Sequence, residues 1–150
     1  MPTNTKEAAD IAFIKGILDI PEEHHTLEFK RLSGPNVNKR ILETIIAFAN
    51  ADGGLLILGV SDPEKCKEGE QRVFGIEENQ DAYDALAREI PKIIPPLADI
   101  WPPHLLAWGD GKRVAIIYVP KCTEEFRSWG GRVYVREQKS IRLLSPQEII

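Results

Sequence analysis

With 150 residues, 43% of them hydrophobic and 28% charged, the chain is long enough to bury a core of its own, and residues 1–150 read as one globular domain. A net charge of −4 excludes a protein that coats nucleic acid by bulk electrostatics, which needs clustered Lys and Arg. Cys66 and Cys122 fall in no Cys-x-x-Cys or Cys/His spacing, and the start of the chain, with Asp10 and Asp19, lacks an apolar run. A disulfide scaffold, structural zinc, a secretory signal and a membrane span are therefore set aside, and a cytoplasmic protein is expected.

In chain order, Asn4 and Glu7 have capping-box spacing, and Ile11, Ile14, Ile17 and Leu18 recur at helical intervals, predicting a helix from about residue 5 to 19 that Pro21 ends. Thr26 to Arg31 alternates apolar with polar, predicting a half-buried strand with Leu27 and Phe29 inward and Glu28 and Lys30 together on the other face. After the turn residues 33–36, Val37, Ile41, Ile45, Phe48 and Ala49 line one stripe of a second helix, with a left-handed Gly53 to end it. The all-apolar run Leu55 to Val60 predicts a central strand.

An acidic loop from Ser61 to Gln71 leads to a short strand at Val73 and Phe74 and then to a helix capped by Asn79. Gly109-Asp110-Gly111 between Leu105–Trp108 and Arg113–Val119 is a hairpin signal, and residues 133–136 and 140–144 read as a last strand pair or one bent strand. Ser145-Pro146-Gln147-Glu148 has the order of a helix start, as expected if the chain is the N-terminal part of a longer protein. Trp101, Trp108 and Trp129 read as core or interface residues. The predicted architecture is α+β: a mixed β-sheet from the strands at 27–31, 54–60 and 105–119, flanked by helices.

Three carboxylates carry the chemistry if folding brings them together: Glu23, Glu28 and Asp62. Oxygen ligands of this kind suit Mg2+ or Mn2+, and Lys30, on the same strand face as Glu28, would meet charge developing on a phosphate. The same residues also read as structure: Glu28 and Lys30 as a surface ion pair, Glu23 as a loop acid, Asp62 as a turn residue. Charge is unevenly spread, with nine acidic and four basic side chains from Asp62 to Glu89 against two acidic and five basic from Phe126 to Ile150. Arg132, Tyr134 and Arg136 alternate along one strand, an aromatic between two guanidinium groups, and are expected to form an exposed nucleic-acid platform; Lys30, Arg31, Lys39 and Arg40 form a second basic cluster.

Taken in order, Glu23, Leu27-Glu28-Phe29-Lys30, Ala47-Phe48-Ala49-Asn50, Gly53-Gly54, Gly59-Val60-Ser61-Asp62, Val73-Phe74-Gly75 and Val133-Tyr134-Val135-Arg136 resemble the Schlafen AlbA-like family. The resemblance covers roughly residues 17 to 150. It implies a mixed sheet with flanking helices and a nucleic-acid partner, in a DNA-binding domain of regulator-like bacterial proteins. In the Schlafen branch it also implies metal-dependent RNA cleavage by three carboxylates, which match Glu23, Glu28 and Asp62. One departure is Glu137-Gln138-Lys139, where the family usually has a glycine soon after the Tyr-x-Arg. Three roles remain in competition: nucleic-acid binding, a metal-dependent endoribonuclease, and a protein-interaction or homodimerisation module that pairs through an exposed strand edge.

Overall fold

The computed structural model describes residues 5–21, 23–65 and 69–149, so Asn4 and Cys66 lie outside the described residues. Four strands, β1 (Leu27–Lys30), β2 (Gly54–Leu58), β3 (His104–Gly109) and β4 (Lys112–Val119), form one sheet in the order β1-β2-β4-β3. The β1–β2 pair is parallel and the β2–β4 and β3–β4 pairs are antiparallel, so the sheet is mixed and the fold α+β, as the sequence predicts. The predicted helices are α1 (Thr5–Leu18), α2 (Val37–Ala49) and α3 (Gln80–Glu89), the last capped by the Asn79 side chain, which accepts from the Ala82 N–H. A separate two-stranded sheet, β5 (Tyr134–Glu137) and β6 (Ser140–Leu143), precedes the short α4 (Pro146–Ile149). Among the described residues, no helix is long and apolar enough to cross a membrane.

Strand alternation sorts the core into two layers. Leu27, Phe29, Ile57, Val114 and Ile116 pack with Ile14 and Leu18 of α1 on one face of the sheet. Leu56, Leu58, Ala115, Ile117 and Val119 pack with α2 and α3 on the other. Helix α2 is buried nearly all round, from Ile41 to Ala49 with Glu43 half-exposed, because β5 closes over the side that the sheet leaves open. This corrects the expectation for β1: it is not a half-buried strand, since the face bearing Glu28 lies under α2 and the strand is covered on both sides.

Both edges of the sheet are covered by side chains. On β3, the Ala107 N–H donates to Asp10 of α1 (3.1 Å), which explains why a carboxylate sits in the buried stripe of that helix. On β1, the Phe29 N–H donates to Glu23 (2.7 Å) and the Leu27 carbonyl accepts from Arg136 (3.3 Å). These side chains satisfy part of the outward-facing backbone on each edge strand.

Gly53 is left-handed (φ 73°) as expected, but it follows the helix end at Ala49 by several residues and serves the turn into β2. A Cβ there would lie 2.7 Å from the Val119 carbonyl oxygen, so only glycine fits. The β5–β6 turn shows what replaces the expected glycine: Gln138 itself takes the left-handed conformation (φ 57°), which costs a side-chain-bearing residue energy. Gln138→Gly is expected to raise stability slightly, by about 0.5 kcal/mol once its greater unfolded-state entropy is counted, with urea unfolding as the measurement. A loss instead would show that the turn is not strained.

Candidate functional site

The site is built around a buried charge. Alternation along β1 points Glu28 at α2, where the residue is 5% exposed. A carboxylate so placed needs a counter-charge and hydrogen bonds. Glu28 Oε1 accepts from Arg136 Nη1 at 2.7 Å, while Oε2 accepts from the Thr44 hydroxyl at 3.0 Å and lies 3.3 Å from Lys30 Nζ. The Arg136 side chain is fully buried (0% exposed). It also donates to the carbonyls of His24 and Leu27 (2.9 and 3.3 Å) and lies over the Phe48 ring, 4.7 Å from its centroid. One guanidinium thus fastens β5 to β1, to the loop before it and to α2. Asn50 adds a second fastening, donating to the carbonyls of Arg127 and Tyr134 (both 2.9 Å) and accepting from the Arg127 N–H (2.7 Å).

This geometry overturns the expected Arg132-Tyr134-Arg136 platform. Tyr134 and Arg136 face inward, 6% and 5% exposed, and only Arg132 is exposed. The strand is covered on both faces, with Val133 buried as well, because the Arg136 cation is drawn to the buried Glu28 instead of to solvent.

Beside this pair opens a cleft of ≈ 390 Å³, lined by Glu23, Glu28, Lys30, Arg31, Ser33, Arg40, Asp62, Lys65, Phe74 and neighbouring residues. The fold therefore brings the three carboxylates to one place, together with Lys30, Arg31 and Arg40. Lys39 faces a different groove, and Arg132 is not part of the cleft. Arg31 chelates Glu78 through Nε and Nη2 and stacks on Phe74 (3.7 Å to the centroid). Arg40 is held by the carbonyls of Pro35 and Ser33 (both 2.9 Å). Among the described residues, neither Arg40 nor Lys65 has a carboxylate partner, so their charge is left facing the cleft. Lys65 and Thr44 escaped the sequence reading. Lys65 was hidden in an acidic loop, whereas Thr44, a polar residue in an apolar helical stripe, was a signal that could have been used.

Sharing a cleft is not sharing a coordination sphere. Among the described residues, no three His, Cys, Asp or Glu side chains are disposed to hold a metal ion. Glu28 already has its charge compensated by Arg136 and Lys30 and accepts from Thr44. Glu23 and Asp62 remain on the cleft wall. Each accepts one hydrogen bond from a local backbone N–H, Glu23 Oε2 from Phe29 (2.7 Å) and Asp62 Oδ1 from Glu64 (2.8 Å). Two such carboxylates fit only a largely hydrated ion of the Mg2+ kind, completed by water and a phosphate oxygen.

The carboxylates are set apart by environment. Burial pushes Glu23 up, the Phe29 N–H opposes it, and the nearby charges of Glu28 and Asp62 push further, to about 7. Burial acts on Glu28 in the same sense, but Lys30, Arg136 and Thr44 outweigh it and hold that carboxyl below its ordinary value. Two outcomes follow. Arg136→Gln leaves Glu28 with Lys30 alone as counter-charge and is expected to cost about 3 kcal/mol in urea unfolding, most of it recovered in the double variant Glu28→Gln/Arg136→Gln. Equal losses in the two would assign the stabilisation to packing. For Glu23, folding favours the protonated form, so its contribution is complete below the ordinary value of 4.5 and is lost as pH rises through about 7. Glu23→Gln should therefore melt a few degrees above the native protein at pH 8 and converge with it toward pH 4.5; a pH-independent difference would mean that Glu23 does not titrate in this range.

Comparisons with known proteins agree with this architecture. A search of curated proteins found no match. Among solved structures, the crystal structure of the DIP2311 protein from Corynebacterium diphtheriae is similar over 95% of this chain, with 21% identity and a TM-score of 0.56, and this chain covers 31% of it. The solution structure of the N-terminal domain of a protein described as ATP-dependent DNA helicase RecG-related, from Nitrosomonas europaea, is similar over 74% of this chain and 72% of its own, with 26% identity and a TM-score of 0.51. The Schlafen, AlbA_2 family profile matches residues 23–145. That span begins at Glu23, runs through β1, α2, the cleft and Arg136, and takes in most of the chain; the protein belongs to the Schlafen, AlbA_2 family.

Proposed function

We propose that the cleft binds nucleic acid through its phosphate backbone, as part of a regulator-like bacterial protein. The observation that carries this reading is the pair of cations without a carboxylate partner among the described residues, Arg40 and Lys65, lining one cleft in a chain whose net charge is −4. Lys30 and Arg31 extend the basic rim, although both are partly compensated by Glu28 and Glu78. Phe74, already stacked by Arg31, adds an aromatic surface of the kind single-stranded bases use. Family membership and the description of the Nitrosomonas relative as DNA helicase RecG-related support a nucleic-acid partner.

Phosphates held by a few cations release a few counterions. Affinity for a fluorescent single-stranded 12-mer should fall with salt, and Arg40→Glu/Lys65→Glu should weaken it at least tenfold and flatten the log–log salt slope by about 1.4, two contacts at roughly 0.7 each. No affinity at low salt, or affinity untouched by the double variant, would remove the reading. Glu23 adds a pH dependence: as pH falls through about 7 it loses its charge and the cleft becomes more positive. Binding should tighten from pH 8 to pH 6, and Glu23→Gln should bind at pH 8 as the native protein binds at pH 6.

A second reading, cleavage of a bound RNA strand, is favoured by Glu23 and Asp62 lining the same cleft as Lys30. A Mg2+ or Mn2+ ion held by Glu23 and Asp62 would supply charge neutralisation at the phosphoryl group. Lys30 would stand toward the developing negative charge, with Glu28 held ionised beside it. Mn2+- or Mg2+-dependent RNA cleavage that disappears in Glu23→Gln and Asp62→Asn, with folding intact, supports this reading. No cleavage with enzyme in excess of RNA would eliminate it.

A further inference from the structure

We infer that Arg31 is a stacking platform for an unpaired base, so that the cleft prefers a single strand to a duplex. The inference rests on the reading of the cleft as a nucleic-acid site and names the form of nucleic acid that enters it.

Arg31 is placed to offer its plane more than its charge. It follows the end of β1, and its Nε and Nη2 edge is committed to the Glu78 carboxylate in a bidentate pair, with Nε 2.9 Å from each oxygen. A guanidinium neutralised in this way is a weak phosphate ligand, but it keeps a flat, weakly hydrated surface that stacks on aromatic rings. Phe74 already lies against that plane, its centroid 3.7 Å from the guanidinium carbon. The Arg31 side chain is nevertheless 41% exposed and lines the cleft together with Phe74. With Phe74 on one face and Glu78 along one edge, the opposite face is the one left for a third planar group.

Both supports are fixed by the fold. The Phe74 N–H donates to the Gly59 carbonyl at the end of β2 (2.9 Å), and Glu78 sits in the tight turn Ile76–Asn79, anchored by the fully buried Ile76. A plane held in place before the ligand arrives loses little freedom when a base stacks on it.

Arg40 and Lys65 line the same ≈ 390 Å³ cleft, so a strand whose phosphates meet those cations carries its bases past the Arg31 plane. In a duplex the faces of each base are covered by its neighbours, and a base must first be flipped out to reach such a plane; in a single strand a face is available at once. Every base has a face, so the contact discriminates between paired and unpaired strands and not among sequences.

The test is fluorescence anisotropy on the whole chain at low salt with three labelled ligands: a mixed-sequence single-stranded 12-mer, its duplex, and a 12-mer with the same phosphate backbone and abasic sugars. The single strand is expected to bind at least about fivefold tighter than the abasic strand, and also tighter than the duplex despite the duplex's higher charge density. Arg31→Lys keeps the charge and removes the plane, and should bring the single-stranded and abasic affinities together; its melting temperature, read alongside, separates lost stacking from lost folding. Equal affinity for base-bearing and abasic strands in the native protein overturns the platform, as does a duplex bound as tightly as the single strand or a base-dependent difference that survives Arg31→Lys. If base-bearing and abasic strands bind alike but both weaken on Arg40→Glu/Lys65→Glu, the platform fails and the cleft reading stands. A base-dependent difference that Arg31→Lys removes while Arg40→Glu/Lys65→Glu changes neither affinity keeps the platform and removes the phosphate reading. No binding of any of the three ligands removes both.

Discussion

The buried pair of Glu28 and Arg136 is the interaction on which the rest of the site depends. A strand that is covered on both faces has turned a carboxylate toward a helix, and a single guanidinium compensates it while also holding the His24 and Leu27 carbonyls. Removing Glu28 would leave the buried Arg136 without a carboxylate partner, whereas the intact pair ties three parts of the chain that are far apart in sequence. Through it, the β5–β6 hairpin is docked on α2, and the segment that carries Glu23 is held against β1.

From that fastening follows the division of labour among the acids. Glu28 is spent on internal bonds and stays ionised; Glu23 is half-buried, close to two other carboxylates, and the one whose proton is poised near neutrality. Asp62 sits in a turn that shapes the loop carrying Lys65. The cleft is therefore a mixed-charge surface whose sign leans positive when Glu23 is protonated. Under the proposed reading, such a surface would let an acidic protein meet a phosphate-bearing partner, because the local field near Arg40 and Lys65, not the total charge, would act on it.

The covering of the sheet edges comes from the same economy. Asp10 on β3, and Glu23 with Arg136 on β1, satisfy backbone groups that would otherwise invite another strand. Two of those three side chains belong to the candidate site, so the residues that build the cleft also close the edge beside it.

Much of the fold was legible in the sequence, because helix and strand periodicities, Asn79 as a cap and Gly109-Asp110-Gly111 as a turn are local signals that need no partner to be read. Local pattern also picked out Glu23, Glu28, Asp62, Lys30, Arg31 and Arg40, which do line one cleft. What only the tertiary structure decided was which way each charged side chain faces. Alternation says that Tyr134 and Arg136 share a face, but not that the face is the inner one. That choice was made by Glu28, 108 residues away, whose burial requires counter-charge and hydrogen bonds. A charge's role is set by the dielectric and the partners around it, and those exist only once the chain has folded.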